Sequence, residues 1–248
     1  HFDHHTPSYT DWFCNWSSAD VAKKIYDGKL VLVKSYRSMA NFSQRRRGWM
    51  FKKTGGSYAE RLEIADSRTF KFGNTNLKFS DPVFHGPENS ELGWILMITI
   101  ECGDEKVLFA SDVQGPMYTP TLDVILAENP QLVIMGGPPT YLAGFRVKEE
   151  HIKQGMQNLE NLVKKVPTTV LEHHTLRDEK WRNLFQPIFD AASELDHKVV
   201  TAAEFAGKEN NLLEFRRRQL FESEPLNPEF EKWMKLPQLK RKMTKPPI

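Results

Sequence analysis

Apolar and polar residues alternate at period two in Thr69-Phe70-Lys71-Phe72 and again in Leu77-Lys78-Phe79, on either side of Gly73-Asn74. That spacing puts every second side chain on one face and predicts a hairpin closed at Gly73-Asn74. The apolar runs Trp94–Ile100 and Val107–Ala110 flank Gly103-Asp104 and predict a second hairpin. Upstream, Ser17-Ser18-Ala19-Asp20 before Val21, Ala22 and Ile25 predicts a capped short helix stopped at Gly28. Leu30-Val31-Leu32-Val33 then reads as a buried strand.

The period changes after Gly136. Leu132–Met135 predicts a strand ending in Gly136-Gly137-Pro138-Pro139, and a helical pattern runs from about Lys148 to Lys164. Strand Thr169–Leu171, a helix from Asp178 to Leu195, strand Val199–Thr201 and a long helix from Ala202 to Leu220 follow. Hairpins first and helix–strand alternation later predict an α/β fold, two sheets packed face to face under outer helices. With no internal repeat and no linker, residues 1–236 read as a single domain. The tail 237–248, with Lys240-Arg241-Lys242 and Pro246-Pro247, is expected to be loosely ordered.

Composition narrows the class without naming a partner. At 248 residues, 40% hydrophobic and 27% charged, the chain is globular and can bury a sizeable core. The run Trp94–Ile100 is far too short to span a bilayer, so no membrane partner is expected. Two cysteines, Cys14 and Cys102, give no disulfide framework and suit a reducing, cytoplasmic setting. A formal charge of +2 is neutral as to partners, so local clusters matter more.

The chain opens His1-Phe2-Asp3-His4-His5, four metal-capable side chains broken by one phenylalanine. Imidazole and carboxylate are the ligands of catalytic zinc, iron or manganese. A tag remnant would be an uninterrupted histidine run; a solvated polar terminus is the other plain reading. Further along stand His85 in Phe84-His85-Gly86-Pro87, Asp112 at the end of Val107–Asp112, and His173-His174 after Thr168–Glu172. A polar loop residue at His85 and a turn-forming aspartate at Asp112 are the ordinary alternatives. His151 and His197 read as surface residues.

In this order the motifs resemble the metallo-β-lactamase superfamily, whose signature is His-x-His-x-Asp-His after a strand. The phrases His-Phe-Asp-His-His-Thr-Pro and Leu-Glu-His-His-Thr-Leu-Arg-Asp are similar to an archaeal subgroup of it. The resemblance covers roughly residues 1–200. It implies an αββα sandwich of two mixed sheets with outer helices, truncated at the amino end, because the signature's first histidine is missing before His1. The strands that precede the motif are then expected upstream; the alternative is a true terminus whose α-amine and His1 chelate one ion.

The resemblance further implies two divalent metal ions, zinc first, with iron or manganese as alternatives. His1 and His85 would serve one ion, and Asp3, His4 and His173 the other. Asp112 would bridge, since a carboxylate offers two oxygens. Two ions held about 3.5–4 Å apart serve hydrolysis. Neighbouring strand-end residues point to opposite faces, so His173 and His174 compete for the ligand role. His173 is the expected ligand, with Asp3 and His174 expected to act in catalysis.

Ser43–Lys53 combines Arg45, Arg46, Arg47, Lys52 and Lys53 with Trp49 and Phe51. Such a stretch can clamp phosphates and stack on bases, or can be a solvated helix face. It tilts the expected substrate towards a phosphodiester, RNA among them, bound through Arg45–Arg47. A lactone, thioester or other small ester is the runner-up, and a nucleic-acid-binding protein that lost its metals is the alternative from another class. No Gly-x-Gly-x-x-Gly loop and no Cys-x-x-Cys is present.

Overall fold

The computed structural model describes residues 18–247, which form two compact units: residues 66–216, and the described residues before 66 together with those after 216. The sequence motif residues His1, Asp3 and His4 lie outside the described residues.

The smaller unit begins with α1 (Ser18–Tyr26), β1 (Leu30–Val33), α2 (Phe42–Lys53) and β2 (Arg61–Ile64). Among the described residues β1 pairs in parallel with β2, and its residues are half-buried rather than buried. The basic stretch is helical for a local reason. Asn41 Oδ1 accepts from the Gln44 backbone N–H at 2.8 Å, and Gln44 Oε1 accepts from the Asn41 N–H at 3.2 Å. This reciprocal cap starts α2. Its inward residue Phe51 is buried and meets Tyr26 edge-on at 5.3 Å.

The larger unit opens with the expected hairpin, β3 (Thr69–Phe72) against β4 (Thr75–Phe79). The run Trp94–Ile100 is not one strand. β5 (Val83–Phe84) takes β6 (Trp94–Ile95), whereas β7 (Ile98–Cys102) pairs with β8 (Glu105–Ser111) in the main sheet. Ser80 pins the break, accepting from the Met97 N–H at its hydroxyl, 2.9 Å, and donating its own N–H to Met97 O, 3.0 Å.

After α3 (Thr119–Ala127), β9 (Leu132–Gly136), α4 (Glu149–Val163) and β10 (Thr168–Glu172) come α5 (Trp181–Leu184), α6 (Gln186–Ser193) and β11 (Lys198–Thr201). The seven-stranded mixed sheet runs β11-β10-β9-β8-β7-β4-β3. β8 to β11 are parallel to one another, and the remaining pairs are antiparallel. α4 buries Ile152, Leu159, Leu162 and Val163, a single helical face, against a core that includes Val133, Met135, Leu171, Phe185 and Ile188.

Two expected helices are interrupted. The stretch 178–195 breaks at Phe185 because Pro187, in the first turn of α6, has no N–H to continue α5. The stretch 202–220 gives only α7 (Ala202–Phe205) before the chain turns back. There Asn210 accepts from the Thr201 hydroxyl at 2.6 Å and donates to Glu204 at 2.9 Å. The smaller unit closes with α8 (Arg217–Ser223), α9 (Pro228–Met234) and α10 (Gln238–Met243). The tail is therefore partly helical, and Trp233 Nε1 donates to Thr244 O at 2.9 Å. Among the described residues no helix is long and apolar enough to cross a membrane.

Candidate metal centre

Three neighbouring parallel strands, β8, β9 and β10, end on the same side of the sheet. Carboxyl ends of parallel strands are where α/β folds place ligands. Asp112 follows β8, and His173-His174 follow β10. The strand between them ends in Gly136-Gly137, so no side chain rises between the two groups. A Cβ on Gly136 would lie 3.1 Å from Asp112 Oδ1, 3.2 Å from His173 Cε1 and 3.3 Å from His174 Cδ2. One on Gly137 would lie 1.9 Å from Thr175 Oγ1. His85 comes from the turn after β5.

Three imidazoles converge on the Asp112 carboxylate. Asp112 Oδ1 lies 2.9 Å from His173 Nε2 and 3.0 Å from His174 Nε2, and Oδ2 lies 3.4 Å from His85 Nε2. His85, Asp112 and His174 are all buried, and their ligand atoms lie within 4.8 Å of one another. The turn that presents Asp112 is bent on both sides: Ser111 and Gln114 take φ of 53° and 59°, conformations that non-glycine residues rarely adopt. Asn158, buried on α4, steadies this turn by donating to Pro116 O at 2.9 Å.

The two histidines differ in setting. His173 has 39% of its side chain exposed, and its Nδ1 lies 3.5 Å from Glu172 Oε1. The Asp112 carboxylate first, and then Glu172, raise the pKa of its imidazole to about 9. His174 is buried instead. Its Nδ1 lies 3.1 Å from the Tyr141 hydroxyl, its ring stacks on Tyr141, and Arg177 Nη1 donates to that same hydroxyl at 3.1 Å.

The donor set fits a divalent ion. Two ligands bound at zinc distances in tetrahedral geometry stand about 3.3 Å apart, close to the His–Asp separations here. The three-residue group uses two imidazole nitrogens and a carboxylate, as catalytic sites do. Of the residues singled out in the sequence, His85, Asp112, His173 and His174 come together; Arg45, Arg46 and Arg47 stand on α2 in the other unit, Arg45 and Arg46 exposed and Arg47 half-buried. Tyr141 and Asn158 carried no signal in the sequence, since each meets its partner only through the fold, and Arg177 stood in a quoted motif with nothing to link it to Tyr141.

No family model matches the chain. A UPF0282 protein of Methanopyrus kandleri is 39% identical over 220 residues, spanning 89% of this chain and 73% of that protein. The chain belongs to the UPF0282 family. Its archaeal members in Korarchaeum cryptofilum (36% identity, 94% of this chain and 74% of that one) and Pyrococcus horikoshii (40%, 90% and 70%) align along nearly the same length. Among solved structures, a mutant of CmlA beta-hydroxylase aligns with this UPF0282 chain at a TM-score of 0.39 and 14% identity, over 69% of this chain and 37% of that one. That likeness is too distant to bear on fold or activity.

Proposed function

We propose that this chain is a metal-dependent hydrolase whose centre is His85, Asp112 and His174. The observation that carries the reading is the buried group of two imidazoles and one carboxylate at the carboxyl ends of adjacent parallel strands. A divalent ion bound there supplies a Lewis acid that polarises a substrate oxygen and acidifies water. Zinc is the first choice for nitrogen-rich ligands, with iron and manganese next. The αββα sandwich and a second ion belong to the same proposal, with His1 beside His85 at one ion and Asp3 and His4 at the other.

Each protein residue then has a task. His85 and His174 approach the two oxygens of Asp112, which leaves that carboxylate able to serve both sides of the centre. Gly136 keeps the floor open. His173, the more exposed of the pair, is assigned the proton that the leaving oxygen needs. Water gives up one proton to solvent as its oxygen bonds to the scissile phosphorus or carbonyl carbon, the ester bond breaks, the departing oxygen takes the His173 proton, and His173 regains one from solvent. The expected ligand role thus passes from His173 to its buried neighbour.

The substrate proposal is a phosphodiester, RNA among them, because α2 exposes Arg45, Arg46 and Trp49 together. Purified protein loaded with zinc or manganese should hydrolyse bis(p-nitrophenyl) phosphate faster than a lactone, and Asp112→Ala should abolish the activity. A clear lactone preference would replace the phosphodiester with a small ester. Activity on neither, with no metal retained, would favour a binding protein without catalysis.

A further inference from the structure

We infer that Tyr141, anchored by Arg177, dictates which ring nitrogen of His174 faces the ion, and that ion binding turns the Tyr141 hydroxyl hydrogen away from His174. The inference rests on the metal-centre reading above and adds a positioning residue to it.

His174 is reached at both nitrogens, by Asp112 at Nε2, 3.0 Å, and by the Tyr141 hydroxyl at Nδ1, 3.1 Å. The ring is 7% exposed and lies against Tyr141 with an interplanar angle of 18°, which leaves little room for another partner. The Asp112 carboxylate, which can only accept, sets the direction by holding the hydrogen of a neutral His174 ring on Nε2. A guanidinium can only donate, so the Tyr141 oxygen accepts from Arg177 Nη1 at 3.1 Å. With no ion bound, the donors run one way: Arg177 to Tyr141, Tyr141 to His174 Nδ1, and His174 Nε2–H to Asp112.

An ion on Nε2 reverses one link. That nitrogen must offer its lone pair, so a neutral ring carries its hydrogen on Nδ1 and donates it to the Tyr141 oxygen. The phenol oxygen now accepts from Arg177 and His174 together, and its own hydrogen leaves the line between them. The proton count closes: the ring loses a hydrogen at Nε2 and gains one at Nδ1, and the tyrosine keeps its own throughout. The freed hydroxyl hydrogen can then meet a substrate oxygen.

The competing explanation is that Tyr141 only packs against His174. Tyr141→Phe separates the two, because it keeps the ring and removes the hydroxyl. Zinc affinity of the intact protein, measured by competition with a chromophoric chelator, should fall about ten-fold or more in Tyr141→Phe. The metal-free variant should keep the parent's circular dichroism spectrum and melt a few degrees lower, because buried His174 Nδ1 loses its donor. Nitrogen-15 shifts should show His174 as the Nε2–H tautomer in metal-free parent protein. Tyr141→Phe binding zinc like the parent while Tyr141→Ala binds weakly would mean packing alone, and would overturn the inference. An Nδ1–H tautomer in the metal-free parent would overturn it too. If the parent binds no zinc, the metal-centre reading fails by itself, and the tautomer measurement still decides the hydrogen-bond direction.

Discussion

Replacing Gly137 by alanine should unfasten the floor of the centre, and the structure sets the size of the effect. The new methyl would lie 1.9 Å from Thr175 Oγ1, where ordinary contact begins at 3.4 Å. Thr175 is fully buried and opens the turn directly after His174, so its side chain has no solvent to swing into. Gly137 is not among the residues at positive φ, so alanine fits the backbone and by that route alone would add about 0.4–1 kcal/mol of stability. Overpacking in a closed core costs about 1–3 kcal/mol, and an overlap this deep belongs at the upper end. A net loss of about 2 kcal/mol follows.

Thr175→Ala removes the obstructing oxygen, which has no hydrogen-bond partner among the described residues, and should cost about 1 kcal/mol or less. In the double variant the nearest atoms to the new methyl become Cβ of residue 175 at 3.3 Å and Phe185 Cε1 at 3.5 Å, a tolerable fit. Urea denaturation of the four proteins should therefore show Gly137→Ala unstable and the double variant largely restored. Zinc binding should fall and recover in parallel. A Gly137→Ala protein as stable as its parent, or one that Thr175→Ala fails to restore, would refute the steric argument.

Asn158→Ala should lower stability by about 1–3 kcal/mol, because Pro116 O loses its buried donor, and an unchanged urea midpoint would contradict this. In chelator-treated protein His173 has its pKa raised from 6.5 to about 9, so its ion pair stabilises the fold fully below about pH 6.5. That contribution is lost as pH rises through about 9; the urea midpoint should decline across this window and flatten in His173→Gln. An identical decline in the variant would sink the assignment to His173. Neutralising Arg45, Arg46 and Arg47 together should reduce the salt slope of single-stranded RNA binding by roughly two to three. An unaltered slope in a folded triple variant would leave α2 as a solvated face.

Short-range pattern was the legible part of this chain. The Gly73-Asn74 turn sits where alternation required it, and β9, α4, β10 and β11 lie within a residue of their expected spans. Their boundaries are written locally, in apolar period and turn residues. Breaks set by the hydrogen bonds of one residue were not legible: Ser80 divides the run Trp94–Ile100, and Asn210 stops the helix after Thr201. The same division holds at the centre. Asp112 and the histidine pair drew notice by residue type at strand ends, and His85 as a lone histidine in the turn Phe84-His85-Gly86-Pro87. The roles proposed for the pair rest on burial and on Tyr141, which arrives from the loop after β9, and no spacing rule connects Tyr141 with His174.

Metal content of the intact protein, with and without Asp112, tests the central claim most directly. After exposure to zinc, manganese and ferrous iron in turn and removal of the excess, the parent should retain at least one ion per chain. Asp112→Ala should lose more metal than His85→Ala or His174→Ala, because its carboxylate is the group that all three imidazoles of the centre approach. Circular dichroism would confirm that the variants are folded. A parent that retains none of the three metals, or a folded Asp112→Ala that keeps the full complement, would contradict the account.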